Sequence, residues 1–130
     1  MGAREEDVVH AWIRCFATQD LAGIVDLYSD EAAWHVAAWR EAVVGREAIR
    51  AAIAQQFDHV ADDKITIRRM FSTDAVVFFE AVDDFMYDAK EVTLHWASVW
   101  ELDSAGKITV QRDYWDGREM DSQMSRPGMA

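Results

Sequence analysis

Apolar residues recur every three or four positions over about residues 4–17, which predicts an amphipathic helix. The apolar stripe consists of Val9, Trp12, Ile13 and Phe16. Asp20 follows a break in this pattern and can cap a short second helix over about residues 21–28. A third helical pattern begins after Gly45 and ends near Phe57. Three helices are therefore predicted in the first part of the chain.

β-Branched and aromatic residues dominate the rest of the chain and predict strands. Four long strands are predicted at residues 65–71, 75–87, 92–102 and 107–115. An early strand is expected over residues 31–36, a loop or short strand over 39–44, and a polar connection over 61–64. Helices followed by a meander of antiparallel strands predict an α+β fold with the helices on one face of a curved sheet. The 130 residues fit one domain, with loose termini at residues 1–3 and about 122–130.

The strand predicted at residues 75–87 is apolar on both of its faces. One face carries Phe79 and Phe85 and the other carries Phe78, so both faces need a cover. The helices can cover one face, and a second copy of the chain is the simplest cover for the other. We therefore predict a homodimer.

The charge balance limits the partners of the protein. A formal net charge of −11 and scattered basic residues argue against binding to nucleic acid or to an acidic membrane surface. The single cysteine, Cys15, lies within a helical apolar pattern and is expected to be a core residue. We recognise no signal peptide and no apolar run of membrane-spanning length, which predicts a cytoplasmic protein. The 15 aromatic residues, six of them tryptophan, fit either an aromatic core or an aromatic-lined ligand cavity.

Five short segments stand out along the chain. They are TQDLAGI at residues 18–24, VGREAI at 44–49, EAVD at 80–83, GKIT at 106–109 and RDYWD at 112–116. With these segments and this order of elements, the chain from about residue 7 to residue 115 resembles the limonene-1,2-epoxide hydrolase and SnoaL-like polyketide cyclase branch of the nuclear transport factor 2-like superfamily. The resemblance implies a cone-shaped, curved antiparallel β-sheet with N-terminal helices packed over its concave face.

The resemblance also implies candidate catalytic residues. In the epoxide hydrolases of this branch, one aspartate activates water, a second protonates the epoxide oxygen, an arginine ties the two together, and a Tyr-x-Asn pair helps to hold the water. The resemblance puts the base at Asp113 and the acid at Asp83. It puts Ala81 at the arginine position, and Trp34 and Val36 at the tyrosine and asparagine positions. Two of the five roles are therefore kept.

The three lost roles change the expected chemistry. Without the arginine, desolvation and mutual repulsion raise the pKa of at least one of two carboxyl groups in an apolar pocket. A pair that holds one proton can act as acid and base together, which suits the closing or rearranging of a ring better than simple hydrolysis. The expected function is a cofactor-independent enzyme that opens an epoxide or closes a ring on a hydrophobic small molecule.

Two alternatives stay open, a ketosteroid-isomerase-like activity and a non-catalytic binding or assembly module. The likeness to ketosteroid isomerases is poorer, because their helix-1 tyrosine falls on Trp12, their base falls near Val36, and no acid stands near Ser98. Isomerase chemistry through Asp83 and Asp113 remains possible. The lost arginine and Tyr-x-Asn pair favour the binding module.

Strand alternation and the resemblance together predict the residues around the substrate. The predicted lining residues are Trp12, Phe16, Trp34, Val36, Phe79, Ala81, Phe85, Trp96, Ser98, Trp100, Gln111 and Trp115. No His, Asp or Glu spacing resembles a metal site, and no Gly-rich phosphate loop or nucleophile motif occurs. We therefore expect no metal and no cofactor.

Overall fold

The computed structural model describes residues 3–125 and has four helices and six strands within them. The helices are α1 (Ala3–Ala17), α2 (Leu21–Val25), α3 (Arg46–His59) and α4 (Gly117–Met124). The strands are β1 (Tyr28–His35), β2 (Val43–Val44), β3 (Val60–Thr73), β4 (Val76–Tyr87), β5 (Lys90–Leu102) and β6 (Ile108–Trp115). The predicted cap of the second helix is confirmed, because a carboxylate oxygen of Asp20 accepts a hydrogen bond from the backbone N–H of Gly23 at 3.0 Å.

All six strands form one sheet in the order β2-β1-β6-β5-β4-β3. β3, β4, β5 and β6 pair antiparallel in sequence order, as the meander pattern predicts. β1 pairs antiparallel with the short β2 but parallel with β6. The α+β class is confirmed, whereas the expectation of an antiparallel sheet throughout is wrong for the β1–β6 pair. The reason is that α3 carries the chain from one edge of the sheet to the other before the meander begins.

The helices cover one face of the sheet, which we call the inner face, and the opposite face is the outer face. On β4 the inner face carries Val77, Phe79, Ala81 and Phe85, all of them buried. Trp12 of α1 packs edge-on against Trp96 and Trp100 of β5, at ring centroid distances of 6.4 and 5.8 Å. The prediction that helices pack on one face of the sheet is confirmed.

β3 begins earlier than the sequence pattern predicts. Residues 61–64, expected to be a polar connection, belong to the strand, and both Ala61 and Lys64 are paired with β4. A β-bulge lies between these two pairs, and its residue Asp62 has a φ of 54°. The polar composition hides this part of the strand, because the side chain that points inward here is the carboxylate of Asp63.

The predicted loose termini are partly wrong. Residue 3 begins α1, and α4 continues to Met124, so residues 122–124 are helical. A carboxylate oxygen of Asp116 accepts a hydrogen bond from the backbone N–H of Arg118 at 2.9 Å and thereby caps α4. Residues 1–2 and 126–130 lie outside the described residues. None of the helices within residues 3–125 is long and apolar enough to cross a membrane.

Candidate active site

A cavity of about 600 Å³ lies between the inner face and the helices α1, α3 and α4. Its lining residues are Trp12, Phe16, Trp34, Val36, Trp39, Arg40, Gln56, Val60, Asp63, Asp83, Phe85, Tyr87, Leu94, Trp96, Asp113, Trp115, Gly117, Met120, Asp121 and Met124. The predicted base, Asp113, and the predicted acid, Asp83, are both among them. A cavity of this size with aromatic walls and a few polar groups has the properties of a small-molecule site.

Three side chains donate hydrogen bonds to the carboxylate of Asp113. Ser98, directly opposite on β5, donates from Oγ to Oδ1 at 2.6 Å. Trp34 of β1 donates from Nε1 to Oδ2 at 2.9 Å. Gln111 donates from Nε2 to both oxygens at 3.3 Å. Asp113 is therefore a buried carboxylate held by the strands on both sides of β6 and by its own strand.

A chain of buried groups fixes the direction of these hydrogen bonds. The indole N–H of Trp12 can only donate, and it donates to the hydroxyl oxygen of Tyr28 at 2.9 Å. The Tyr28 hydroxyl then donates to Oε1 of Gln111, which leaves the amide N–H groups of Gln111 facing Asp113. The donors are therefore oriented toward a negative charge on Asp113.

The same reasoning holds on the β5 side of the carboxylate. Nε1 of Trp100 donates to Oγ of Ser98 at 2.6 Å, so Ser98 uses its own hydrogen for another acceptor. That acceptor is the carboxylate of Asp113 at 2.6 Å or the backbone carbonyl of Arg112 at 3.0 Å, and the shorter contact is the one to Asp113.

Burial raises the pKa of Asp113 to about 6, although hydrogen bonds from Ser98, Trp34 and Gln111 act in the opposite direction. Arg112 is not a partner of this carboxylate, because it pairs with Glu101 at 2.8 Å. A carboxyl group with this pKa is largely ionised at neutral pH and is more basic than an exposed aspartate. It is suited to general-base chemistry near neutral pH.

Asp83 has a partner that the sequence did not predict, Asp63 of β3. Both carboxyl groups line the cavity on neighbouring strands, and a hydrogen bond between them is one cause of the raised pKa of Asp83. Burial, this contact and the charge of Asp84 raise the pKa of Asp83 well above its ordinary value. The expectation that Asp83 and Asp113 share one proton is therefore replaced by a carboxyl pair between Asp83 and Asp63.

The structure divides the twelve predicted lining residues into two groups. Seven line the cavity, namely Trp12, Phe16, Trp34, Val36, Phe85, Trp96 and Trp115. The other five, Phe79, Ala81, Ser98, Trp100 and Gln111, are buried and do not line this cavity. The physical reason is aromatic packing, because Phe79 contacts Trp96 and Trp100 edge-on at 5.3 and 5.5 Å and this cluster fills the end of the inner face.

Eleven of the twenty lining residues are absent from the sequence prediction, among them Asp63 and the residues of α4. Asp63 lies in the segment that was expected to be a polar connection. Met120, Asp121 and Met124 lie on α4, in or close to the part of the chain expected to be loose. A usable signal for α4 exists in the sequence, because Asp116 is a good N-cap residue and the two methionines have i, i+4 spacing.

Within residues 3–125, no group of three or more His, Cys, Asp or Glu side chains is placed to hold a metal ion. The carboxyl group of Asp113 and the Asp63–Asp83 pair instead offer groups for proton transfer. Asp113 is an acceptor with oriented donors behind it. The Asp63–Asp83 pair lies on strands on the other side of β5.

The fold and cavity define a class of protein that the sequence comparison identifies. The chain belongs to the SnoaL-like domain family, whose sequence model matches residues 9–111. No curated protein sequence matches the chain.

Solved structures support the same fold. The chain is similar to an LEH-like epoxide hydrolase of M. tuberculosis, with 20% identity, a TM-score of 0.80, and coverage of 92% of this chain and 88% of that chain. It is similar to a protein described as a SnoaL-like polyketide cyclase from Shewanella denitrificans OS-217, with 16% identity, a TM-score of 0.83, and coverage of 92% and 96%. It is also similar to the epoxide hydrolase/cyclase-like enzyme SalBIII, with 16% identity, a TM-score of 0.80, and coverage of 88% and 92%. Identities this low show the fold alone.

Proposed function

We propose that this protein is a cofactor-independent enzyme that uses Asp113 as a general base on a hydrophobic small molecule. The observation that supports the proposal most strongly is a buried carboxylate with three oriented donors, exposed to a cavity with aromatic walls. A group that must accept a proton and release it again is best held in one geometry, and its pKa is best placed near the working pH. Asp113 has both properties.

Asp83 is the proposed acid. The group is neutral at neutral pH because its pKa is raised, so it can donate a proton or a hydrogen bond to an oxygen atom of the substrate. Nε1 of Trp96, which also lines the cavity, has no hydrogen-bond partner among the described residues and is a further candidate donor. A substrate oxygen that becomes negative during the reaction would be stabilised at this side of the cavity.

Ring formation by an internal hydroxyl is the reaction that these residues favour. In the proposed step the hydroxyl loses its proton to Asp113, its oxygen forms a bond to an epoxide carbon, the epoxide C–O bond breaks, and Asp83 protonates the released oxygen. In this chain, Trp34 and Val36 stand at the positions that hold water in the epoxide hydrolases. Their polar groups already have protein partners, because the Trp34 N–H donates to Asp113 and the Val36 backbone carbonyl accepts from Nε1 of Trp115 at 2.8 Å. SalBIII is described as acting in pyran ring formation, which agrees with this choice.

The test is turnover of a panel that contains cyclohexene oxide and an aliphatic epoxide with an internal hydroxyl group. Wild-type protein is expected to convert at least one of them, and Asp113→Asn is expected to lose at least about 100-fold of that rate, the usual contribution of a general base. Asp74→Asn is the matched control, because it removes the same charge from an exposed turn. Equal rates in wild type and Asp113→Asn would rule out Asp113 as the base.

A non-catalytic binding module is the second candidate. It is favoured by the fact that protein donors already surround Asp113, so the carboxylate has partners without a substrate. A binding module predicts that hydrophobic ligands bind to wild type and to Asp113→Asn with similar affinity and that neither protein converts them.

An isomerase of the ketosteroid type would have to use Asp113 and Asp83, because the Trp12 donor is occupied by Tyr28 and the Ser98 donor by Asp113.

We also propose that two copies of the chain associate through the outer face. Phe71, Phe78 and Tyr114 lie on this face and are 57%, 41% and 46% exposed. The rings of Phe71 and Phe78 stand 5.7 Å apart on neighbouring strands and form one apolar patch. A patch of this kind on a sheet face is typical of a protein interface.

A further inference from the structure

Asp63 and Asp83 meet inside the cavity because of the register between β3 and β4. Ile65 is paired with Asp83, so Asp63 is the diagonal neighbour of Asp83 on the inner face. The bulge at Asp62 interrupts the alternation next to this position, and as a result Val60 is buried as well. The carboxyl group of Asp63 is thus directed into the cavity, although its sequence neighbours are polar.

Hydrogen-bond donors are missing around this carboxyl pair. Both oxygens of Asp63 and Oδ1 of Asp83 are buried and have no donor among the described residues. None of the ion pairs within residues 3–125 includes either aspartate. An ionised carboxylate can only accept hydrogen bonds, whereas a protonated carboxyl group donates one. A single proton on the pair therefore converts a contact between two acceptors into a hydrogen bond.

We propose that Asp63 is a positioning residue that keeps this proton on Asp83. Asp83 precedes the anionic Asp84 on β4, whereas Asp63 precedes the cationic Lys64 on β3. A negative charge therefore costs less on Asp63, which accepts the hydrogen bond. This assignment of the proton does not depend on the proposed function. Only the use of the proton in catalysis rests on the proposed function.

The effect of the mutual hydrogen bond agrees with this assignment. Burial raises the pKa of both groups above their ordinary values, while the hydrogen bond raises the pKa of Asp83 further and lowers that of Asp63. The other titratable or charged groups that line the cavity are Arg40, Tyr87, Asp113 and Asp121. α1 and α3 contribute only Trp12, Phe16 and Gln56, which carry no charge. Lys64 and Asp84 are exposed and face each other across β3 and β4.

Asp113 and Asp83 therefore have different chemical roles in the same cavity. Asp113 stays ionised and accepts a proton, while Asp83 stays neutral and faces the substrate oxygen. The negative charge of Asp63 opposes the ionisation of Asp83 and thereby keeps it a donor over the neutral pH range. In the reaction proposed above, the proton that leaves Asp83 is replaced from solvent and the proton that Asp113 accepts is released to solvent before the next turnover.

Carboxyl carbon NMR on protein with labelled aspartate tests the location of the proton directly. The titration of Asp83 is identified by its disappearance in Asp83→Asn, and its midpoint in wild type is expected above neutral pH. In Asp63→Asn the midpoint is expected to fall by at least about one pH unit, because a neutral amide replaces a negative neighbour. Asp63→Ala is expected to lower it as well. Asp62→Asn, the adjacent exposed residue, is the matched control and is expected to leave it unchanged.

An Asp83 midpoint that is the same in wild type, Asp63→Asn and Asp63→Ala would overturn the positioning role. The panel of epoxides separates this outcome from a failure of the proposed function. A lowered Asp83 midpoint in Asp63→Asn, with no epoxide converted by wild type, would keep the proton on Asp83 and reject the enzyme. Turnover in wild type whose alkaline limb moves to lower pH in Asp63→Asn would support both.

Discussion

Trp34 of β1 supplies one of the three side-chain donors to the carboxylate of Asp113. By resemblance it stands where a tyrosine would help to hold water, and its one N–H donor looks like a loss. In the structure that donor points at Oδ2 of Asp113 at 2.9 Å. A buried carboxylate is costly unless donors satisfy it, so Trp34 is part of what allows Asp113 to be ionised at all.

Replacing Trp34 by phenylalanine is expected to raise the pKa of Asp113 above about 6. The substitution removes a hydrogen bond to the charged form, and a net hydrogen bond to a charged group corresponds to a shift of about 1 to 2 pH units. Carboxyl carbon NMR of Asp113 measures the shift. Trp39→Phe, at an exposed position of the same cavity, is the control. An Asp113 titration unchanged in Trp34→Phe would show that this donor does not stabilise the charge.

Some residues of the site could be predicted from the sequence and others could not. Asp113 was recognisable from the RDYWD segment, and its place in the cavity agrees with that expectation. Asp63 was not recognisable, because it is one of several polar residues in a row and its contact with Asp83 spans 20 positions of the chain. That contact depends on the strand register and on a bulge, neither of which has a local sequence signal strong enough to read.

Among the elements, α4 has the largest influence on the site beyond what the sequence pattern showed. β6 ends at Trp115, so the part of β5 before Trp96 has no strand on that side. Gln123 takes the place of a strand, since it accepts from the N–H of Thr93 at 2.8 Å and donates to its carbonyl at 2.7 Å. Glu119 accepts from the next free N–H along β5, that of residue 95, at 2.6 Å.

Gln123→Ala is expected to destabilise the protein by about 1–3 kcal/mol, because it leaves two backbone groups of Thr93 without a protein partner. The free energy of unfolding in urea measures the effect, and amide exchange at Thr93 is expected to become faster. Gln55→Ala, an exposed glutamine of α3, is the matched control. Equal stability of the two variants would mean that α4 does not serve as the cover of this edge.

The three early helices and the meander β3–β6 could be predicted because each carries a local pattern of helical or strand spacing. The parallel pairing of β1 with β6 could not, because it joins segments some 80 positions apart and follows from the path of α3. The start of β3 could not be predicted either, because residues 62–64, which include Asp63, are polar. A polar segment of this kind resembles a loop.

At the scale of the whole molecule, the exposed apolar patch on the outer face is the feature that favours self-association. Phe78→Glu is expected to weaken self-association, because it places a charge within the apolar patch shared with Phe71. Sedimentation velocity is expected to show a dimer for wild type and a monomer for Phe78→Glu. Val44→Glu, at an exposed apolar residue of the edge strand β2, is the control and is expected to remain a dimer. A monomeric wild type would contradict the proposed association.

The pH dependence of kcat/KM for a converted epoxide is the most direct test of Asp113 as the base. Burial raises the pKa of this carboxyl group to about 6, and only its ionised form accepts a proton. The expected profile rises with pH, bends near pH 6 and reaches a plateau above it, and the limb disappears with the activity in Asp113→Asn. A profile that is flat from about pH 5 to pH 8, or an acid limb that persists in Asp113→Asn, would contradict the role of Asp113.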